Sequence, residues 1–218
     1  QGVQQRVHFP QARTAQTGSE KAGSAQMSLR IIAGQWRGRK LQAPQGETTR
    51  PTADRTRETL FSMLLSRLGT FEGLTVADLF AGSGALGLEA LSRGAASCTF
   101  VEQDAPAIRA LRANVANLRA ASLCDVRAGS VLALGPVKAP LDLILLDPPY
   151  HSGAGAVALD KLRRLGWIGE QTWISLETAH DEEPKVKLFE SLADRKVGKA
   201  RITLLRLAQA APAAPPAD

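Results

Sequence analysis

Two cysteines in 218 residues, Cys98 and Cys124, are too few and too widely spaced for a disulfide framework. They read as two buried thiols in a reducing compartment, so a cytoplasmic protein is expected. No apolar run approaches the roughly 20 residues of a membrane-spanning helix. The N-terminal region also lacks the apolar core of a signal peptide, and no membrane partner is expected. With three histidines and no His/Cys/Asp/Glu cluster at metal-ligand spacing, no metal is expected either. His8 and His180 have no partner signature, and His151 reads as a loop histidine. Serine, histidine and aspartate form no defensible nucleophilic triad, and no internal repeat occurs.

What remains is ordinary for a globular chain: 44% hydrophobic and 22% charged residues, enough for one domain with a small appendage. The net charge of +6 is unevenly placed. Arg30, Arg37, Arg39, Lys40, Arg50, Arg55, Arg57 and Arg67 face only Glu47, Asp54 and Glu58 in that segment, which therefore holds most of the excess. A solvated helix face is the bland explanation. Placed directly before a catalytic-looking domain, the cluster reads instead as a footprint for a polyanion.

Residues 1–27 are rich in Gln, Ala, Ser, Thr and Gly without periodicity, and are expected to be a disordered leader with Met27 a candidate start. The Ala/Pro-rich tail, 208–218, is expected to be unstructured. Residues 28–70 form an extension: strand-like "LRIIAG" and "GRKLQAP" around the basic turn "GQWRGR" predict a β-hairpin. A helix capped by Thr52 then runs to about Leu68, with Leu60, Phe61, Leu64, Leu65 and Leu68 on one face. From 71 to 207 strands and helices alternate. The strands are "LTVADLF", "SCTFVE", "CDVRAG", "LDLILLD" and "TWISLET"; the helices are "ALGLEALSRG", Ala105–Leu118 and about 156–165. "ESLADRKVGKARITLLRLA" predicts an antiparallel hairpin around Gly198. This order specifies an α/β, Rossmann-like, doubly wound sheet, whose ligands sit beyond the carboxyl ends of the strands. Trp167 and Trp173 are expected in the core.

Three strand ends carry the chemistry. After the first comes "DLFAGSGALG", where Gly82, Gly84 and Gly87 spell G-x-G-x-x-G, and Glu102 ends the next strand. That spacing is shared with dinucleotide sites, so an NAD-dependent oxidoreductase is the rival reading. In both readings the glycines admit the ligand's backbone approach, and Glu102 accepts from ribose hydroxyls. Asp78 separates them. Its charge repels a pyrophosphate at the helix N-terminus and welcomes the cationic S-adenosylmethionine. At the fourth strand end stands "DPPY". The carboxylate of Asp147 and the carbonyl of Pro148 accept from an exocyclic amine, and Pro148 and Pro149 fix the backbone. Tyr150 offers a ring for base stacking, worth roughly 1–3 kcal/mol in single-stranded complexes. Acceptors on both N–H bonds free the amine's lone pair for an incoming methyl group. Whether Asp147 also takes the proton is left open. Glu177 ends strand five on the same rim, where a solvated strand end or a salt bridge explains it as well as catalysis does.

Together with these residues, "MSLRIIAGQWRGRKL", "RPTADRTRETLF", "FAGSGALGLEALSRGA" and "LLDPPY" resemble the bacterial 16S rRNA guanine-N2 methyltransferase family, RsmD, over about 27–207. The resemblance implies a Rossmann-like methyltransferase domain with an N-terminal hairpin that contacts RNA. It also implies S-adenosylmethionine as methyl donor, and 16S rRNA or the assembling small subunit as partner. By the same resemblance Asp78, Phe80, Ala81, Gly82, Ser83, Gly84 and Gly87 would hold the methionine part, and Glu102, with Gln103 beside it, the ribose. Gly129, Ser130 and Val131 would face the adenine, although Ser130 stands where many such enzymes carry an aspartate. Asp147, Pro148, Pro149 and Tyr150 would receive the target amine. Trp36, Arg37, Arg39, Arg50, Thr52 and Arg55 would lie at the RNA entrance; for Trp36, local packing is the competing role. Nothing requires more than a monomer. Methylation of DNA adenine or protein glutamine amino groups, and a non-catalytic RNA-binding role, are the alternatives.

Overall fold

The computed structural model describes residues 29–44 and 51–208, without the side chains of 51–53. The expected leader, most of the tail, Arg50 and the Thr52 side chain therefore lie outside the described residues. Helix α1 (Pro51–Leu68) is followed by β1 (Thr75–Leu79), α2 (Ala85–Ser92), β2 (Ser97–Glu102), α3 (Ala105–Asn117) and β3 (Cys124–Ala128). Then come β4 (Leu143–Leu146), α4 (Ala154–Arg164), β5 (Trp173–Ala179), β6 (Phe189–Val197) and β7 (Ala200–Leu207). The seven strands form one sheet in the order β3-β2-β1-β4-β5-β7-β6. β1 to β5 are parallel; β7 runs antiparallel to both β5 and β6. The sequence-based order of elements is therefore the observed one.

The central strands are continuous apolar runs because both their faces are covered. Side chains alternate between two layers. Val76, Cys98, Phe100, Leu143 and Leu145 pack with residues of α1, α2 and α3. Ala77, Leu79, Val101, Ile144 and Leu146 pack with α4 and the buried Trp167. Trp173 is only half-buried, and Arg206 lies over its ring. Helix α3 starts where Asp104 accepts from the amide of Ala107, with Pro106 in the first turn. Cys98 and Cys124 pair in register across β2 and β3 as free thiols, and burial pushes the Cys124 thiol up to about 12.

Two expectations need correction. Leu65 is exposed, because it lies about a quarter-turn from the centre of the stripe formed by Leu60, Phe61 and Leu64. The N-terminal run is not a regular hairpin: one antiparallel bridge, Arg30 with Lys40, is flanked by the bonds Ile31 N to Arg39 O (2.9 Å) and Leu41 N to Leu29 O (2.8 Å). Gly38 N also donates to Ile31 O (2.9 Å) and turn bonds join Arg37 to Gly34 and Arg39 to Trp36, while further polar groups go to helices. The amides of Ile32 and Ala33 donate to the Glu89 carboxylate at 2.7 and 2.9 Å, and that of Trp36 to Ser92 Oγ at 3.0 Å. Gln42 exchanges hydrogen bonds with Asn114 in both directions. Leu29, Ile31 and Leu41 join the same core as α1, α2 and α3, so the extension is fused to the sheet domain.

Candidate active site

A cavity of about 860 Å³ opens beyond the carboxyl ends of the parallel strands, within the range of small-molecule sites. Its walls come from the loop after β1, the end of β2, residues 129–131, the Asp147–Tyr150 turn, Glu177, and the β6–β7 turn at Gly198–Ala200. The extension closes one side with Leu29, Ala43, Thr56 and Arg57.

Asp78 takes a core-facing position on β1, on the layer shared with Val76. Its Oδ2 accepts from the amide of Gly87 at 2.8 Å, while Oδ1 has no partner among the described residues. Burial pushes this carboxyl up to about 7; the Gly87 bond opposes the shift, and Glu102 adds to it. The loop above is held by Glu102. One carboxylate oxygen accepts from Gly82 (2.8 Å), the other from Gln103 (2.7 Å) and Asp104 (2.8 Å). Phe80 sits at φ 63, a left-handed conformation costly for a bulky side chain. A side chain added at Gly82 would meet nothing within 4 Å. Gly84 and Gly87 differ. Cβ atoms there would meet Leu111 of α3 at 2.3 Å and Phe100 of β2 at 2.4 Å, so Gly84 lets the start of α2 approach α3, Gly87 packs α2 onto β2, and neither lines the cavity. Ser130 caps a short 3-10 turn, its Oγ accepting from Leu132 N at 3.2 Å.

In the turn after β4, the neighbour of β1, Pro148 is buried, while Asp147, Pro149 and Tyr150 are exposed and line the cavity. Tyr150 donates its hydroxyl to Glu177 Oε1 at 2.7 Å. Burial, then this bond, raise the phenol well above its usual range, and burial raises the Glu177 carboxyl too. Glu177 is thus neither a solvated end nor a salt bridge. β5 continues two residues past Glu177, paired to β7, so Glu177 does not end the strand as expected; the acidic residue near the carboxyl end of that strand was the available signal. His151 is exposed, 3.6 Å from Asp181, and takes no part in the cavity.

The residues expected to meet RNA are spread around the extension. Arg37 and Arg55 are exposed; Arg39 donates to Asn117 O at 2.7 Å; Trp36 is half-buried against the core, as its packing role would have it. None of the four lines the cavity. Arg57, expected only as part of the basic footprint, lines it instead. It is buried, donates to Arg30 O and to Asp54 (3.1 Å), and burial lowers its pKa. Among the described residues no group of His, Cys, Asp and Glu is placed to hold a metal, and no helix is long and apolar enough to cross a membrane.

A 3-2-1-4-5-7-6 sheet with a glycine loop and an acidic residue at the first two strand ends is the Rossmann-like methyltransferase fold. A solved structure agrees: one described as "Putative methyltransferase yhhF from Escherichia coli" superposes with a TM-score of 0.72 at 34% identity, covering 84% of this chain and 99% of that one. The family described as "Conserved hypothetical protein 95" matches residues 29–206, and the chain belongs to this family, that of RsmD. The Escherichia coli protein named "Ribosomal RNA small subunit methyltransferase D" is 41% identical over 157 residues, 72% of this chain and 77% of that protein. A Bacillus subtilis relative named "Putative rRNA methyltransferase YlbH" is 35% identical over 170 residues, covering 76% and 89%.

Proposed function

We propose that this chain transfers a methyl group from S-adenosylmethionine to the exocyclic 2-amino group of a guanine in 16S rRNA. The observation that carries the reading is that Asp147, Pro148 and Tyr150 line the same cavity as Asp78, Gly82 and Glu102. The cofactor fits the donor set. Asp78 has an orphaned carboxylate oxygen and an unfavourably buried charge, which an ammonium group neutralises. Glu102 spends three acceptor sites on amides and keeps capacity for a ribose hydroxyl. Gly129–Val131 supply the wall for the adenine. When bound, the cofactor supplies an electrophilic methyl group on a sulfonium.

The chain's own residues do the rest. Tyr150 stacks the base, and Asp147 with the Pro148 carbonyl draws on the amine's two N–H bonds, which localises its lone pair and aims it. A dinucleotide fits less well, because the Gly87 amide at the start of α2 is already taken by a carboxylate. The exposed Arg37 and Arg55 supply phosphate contacts. The relatives' names agree with a ribosomal RNA substrate.

The test is transfer from radiolabelled S-adenosylmethionine to ribosomal RNA and to partly assembled small subunits from a strain lacking the activity, with DNA and total protein as controls. We expect label in one RNA nucleotide whose base digestion identifies as guanine methylated on its 2-amino group (N2-methylguanine). Label confined to DNA or protein would keep the chemistry and discard the substrate. Absence of label despite cofactor binding would leave a non-catalytic RNA-binding protein.

A further inference from the structure

We propose that Glu177 reads the target base, its carboxylate accepting the ring N–H that neighbours the methylated amino group. The proposal rests on the guanine reading above. Strands β4 and β5 are parallel neighbours in which Leu146 pairs with Leu176. Asp147 and Glu177 are the next residues on each, so two carboxylates leave adjacent strands side by side at the cavity. Neighbouring strands lie about 4.8 Å apart, close enough for both side chains to converge on one edge of one base.

Only some bases offer such an edge. Guanine presents its amino group and an adjacent ring N–H, two donors in a row. Adenine and cytosine each present an amino group beside a ring nitrogen that only accepts, and a carboxylate facing that nitrogen is repelled. A pair of acceptors therefore selects guanine, while a single carboxylate serves any exocyclic amine. The Tyr150 hydroxyl occupies Glu177 Oε1 at 2.7 Å, and no other hydrogen bond to this carboxylate occurs among the described residues. One oxygen is thus anchored to the ring on which the base stacks, and the other is left for the base. The same bond fixes the orientation of the only tyrosine in the chain.

The experiment uses small subunits rebuilt with RNA carrying either guanine or 2-aminopurine at the nucleotide that accepts label. 2-Aminopurine keeps the amino group but has an accepting ring nitrogen beside it. Wild-type protein is expected to prefer guanine in kcat/KM by roughly tenfold to a hundredfold. Glu177→Gln retains an oxygen for Tyr150 and turns an amide donor toward the base. In that variant the preference should collapse to about unity or invert, with cofactor affinity by calorimetry unchanged. Equal wild-type rates on the two substrates overturn the proposal, and need no variant to fold. An equal loss on both substrates in Glu177→Gln also overturns it, leaving a residue that only positions Tyr150. No transfer to guanine by the wild type removes the parent reading, and this proposal with it.

Discussion

Asp78 is a carboxyl group where the sheet's alternation calls for an apolar side chain, and the cost shows in its titration. Its pKa rises from 3.8 to about 7, so between those values the folded protein binds a proton that the unfolded chain has released. Stability from this group is therefore full below pH ~4 and is lost as pH rises toward 7, on the order of 4 kcal/mol. We expect Asp78→Asn to flatten the stability–pH profile over that window in denaturant titrations, and to weaken cofactor binding by at least about tenfold. Calorimetry in buffers of different ionisation enthalpy should show proton release when S-adenosylmethionine binds wild type near pH 7, and none in the variant. Asp147→Ala should abolish transfer with cofactor affinity nearly unchanged, since Asp147 belongs to the turn assigned to the target amine and not to the loop assigned to the cofactor. Glu102→Ala should lower cofactor affinity first. It should also cost roughly 1–3 kcal/mol of stability, because the Gly82, Gln103 and Asp104 amides lose their acceptor. A variant with wild-type cofactor affinity would refute the ribose assignment.

Helix α2 serves two masters. Its N-terminal amide at Gly87 holds Asp78, and its C-terminal half holds the extension through Glu89 and Ser92. Glu89 is fully buried, accepts two backbone amides, and pairs with Arg93 at 2.8 Å. Arg93 in turn lies 4.8 Å from the centre of the Phe61 ring on α1. Replacing Glu89 by Ala leaves two amides and a guanidinium uncompensated, an expected loss of about 3–5 kcal/mol in denaturant unfolding. Hydrogen exchange at Ile32 and Ala33 should accelerate more than at the β1 amides; uniform acceleration would mean that Glu89 stabilises the whole fold equally. The sequence shows Glu89 only as one charge inside the helical run "ALGLEALSRG". Helical periodicity makes the helix legible, while the partner of a charge within it depends on what is packed outside. The same limit explains the extension. Its apolar residues suggested two paired strands; some amides do pair across the turn, but those of Ile32, Ala33, Trp36 and Gln42 bond to α2 and α3, leaving one bridge.

On the scale of the molecule, a chain of net charge +6 surrounds a cavity lined largely by carboxylates and apolar groups. Positive charge outside attracts a polyanion, and negative charge inside suits a cation; a single ligand of either sign would not call for both. RNA affinity should therefore fall with salt while cofactor affinity changes little. Removing the exposed Arg37 and Arg55 together should lower the slope of log K against log salt by roughly one to two. An unchanged slope would move the RNA contact elsewhere.

The order of strands and helices from β1 onward, the antiparallel close of the sheet and the three strand ends that line the cavity were legible in the sequence, because periodicity and turn residues act over a few neighbours. Tertiary structure alone decided that Asp78 is buried with one orphaned oxygen, that Gly84 packs against α3 and Gly87 against β2, and that Arg57 enters the cavity wall. It also decided that Tyr150 bonds Glu177, 27 residues away, and that Ile32 bonds Glu89, 57 residues away. Hydrogen bonds across such separations leave no periodic trace along the chain. They exist only once the sheet has set its strand ends side by side and the helices have closed over one face.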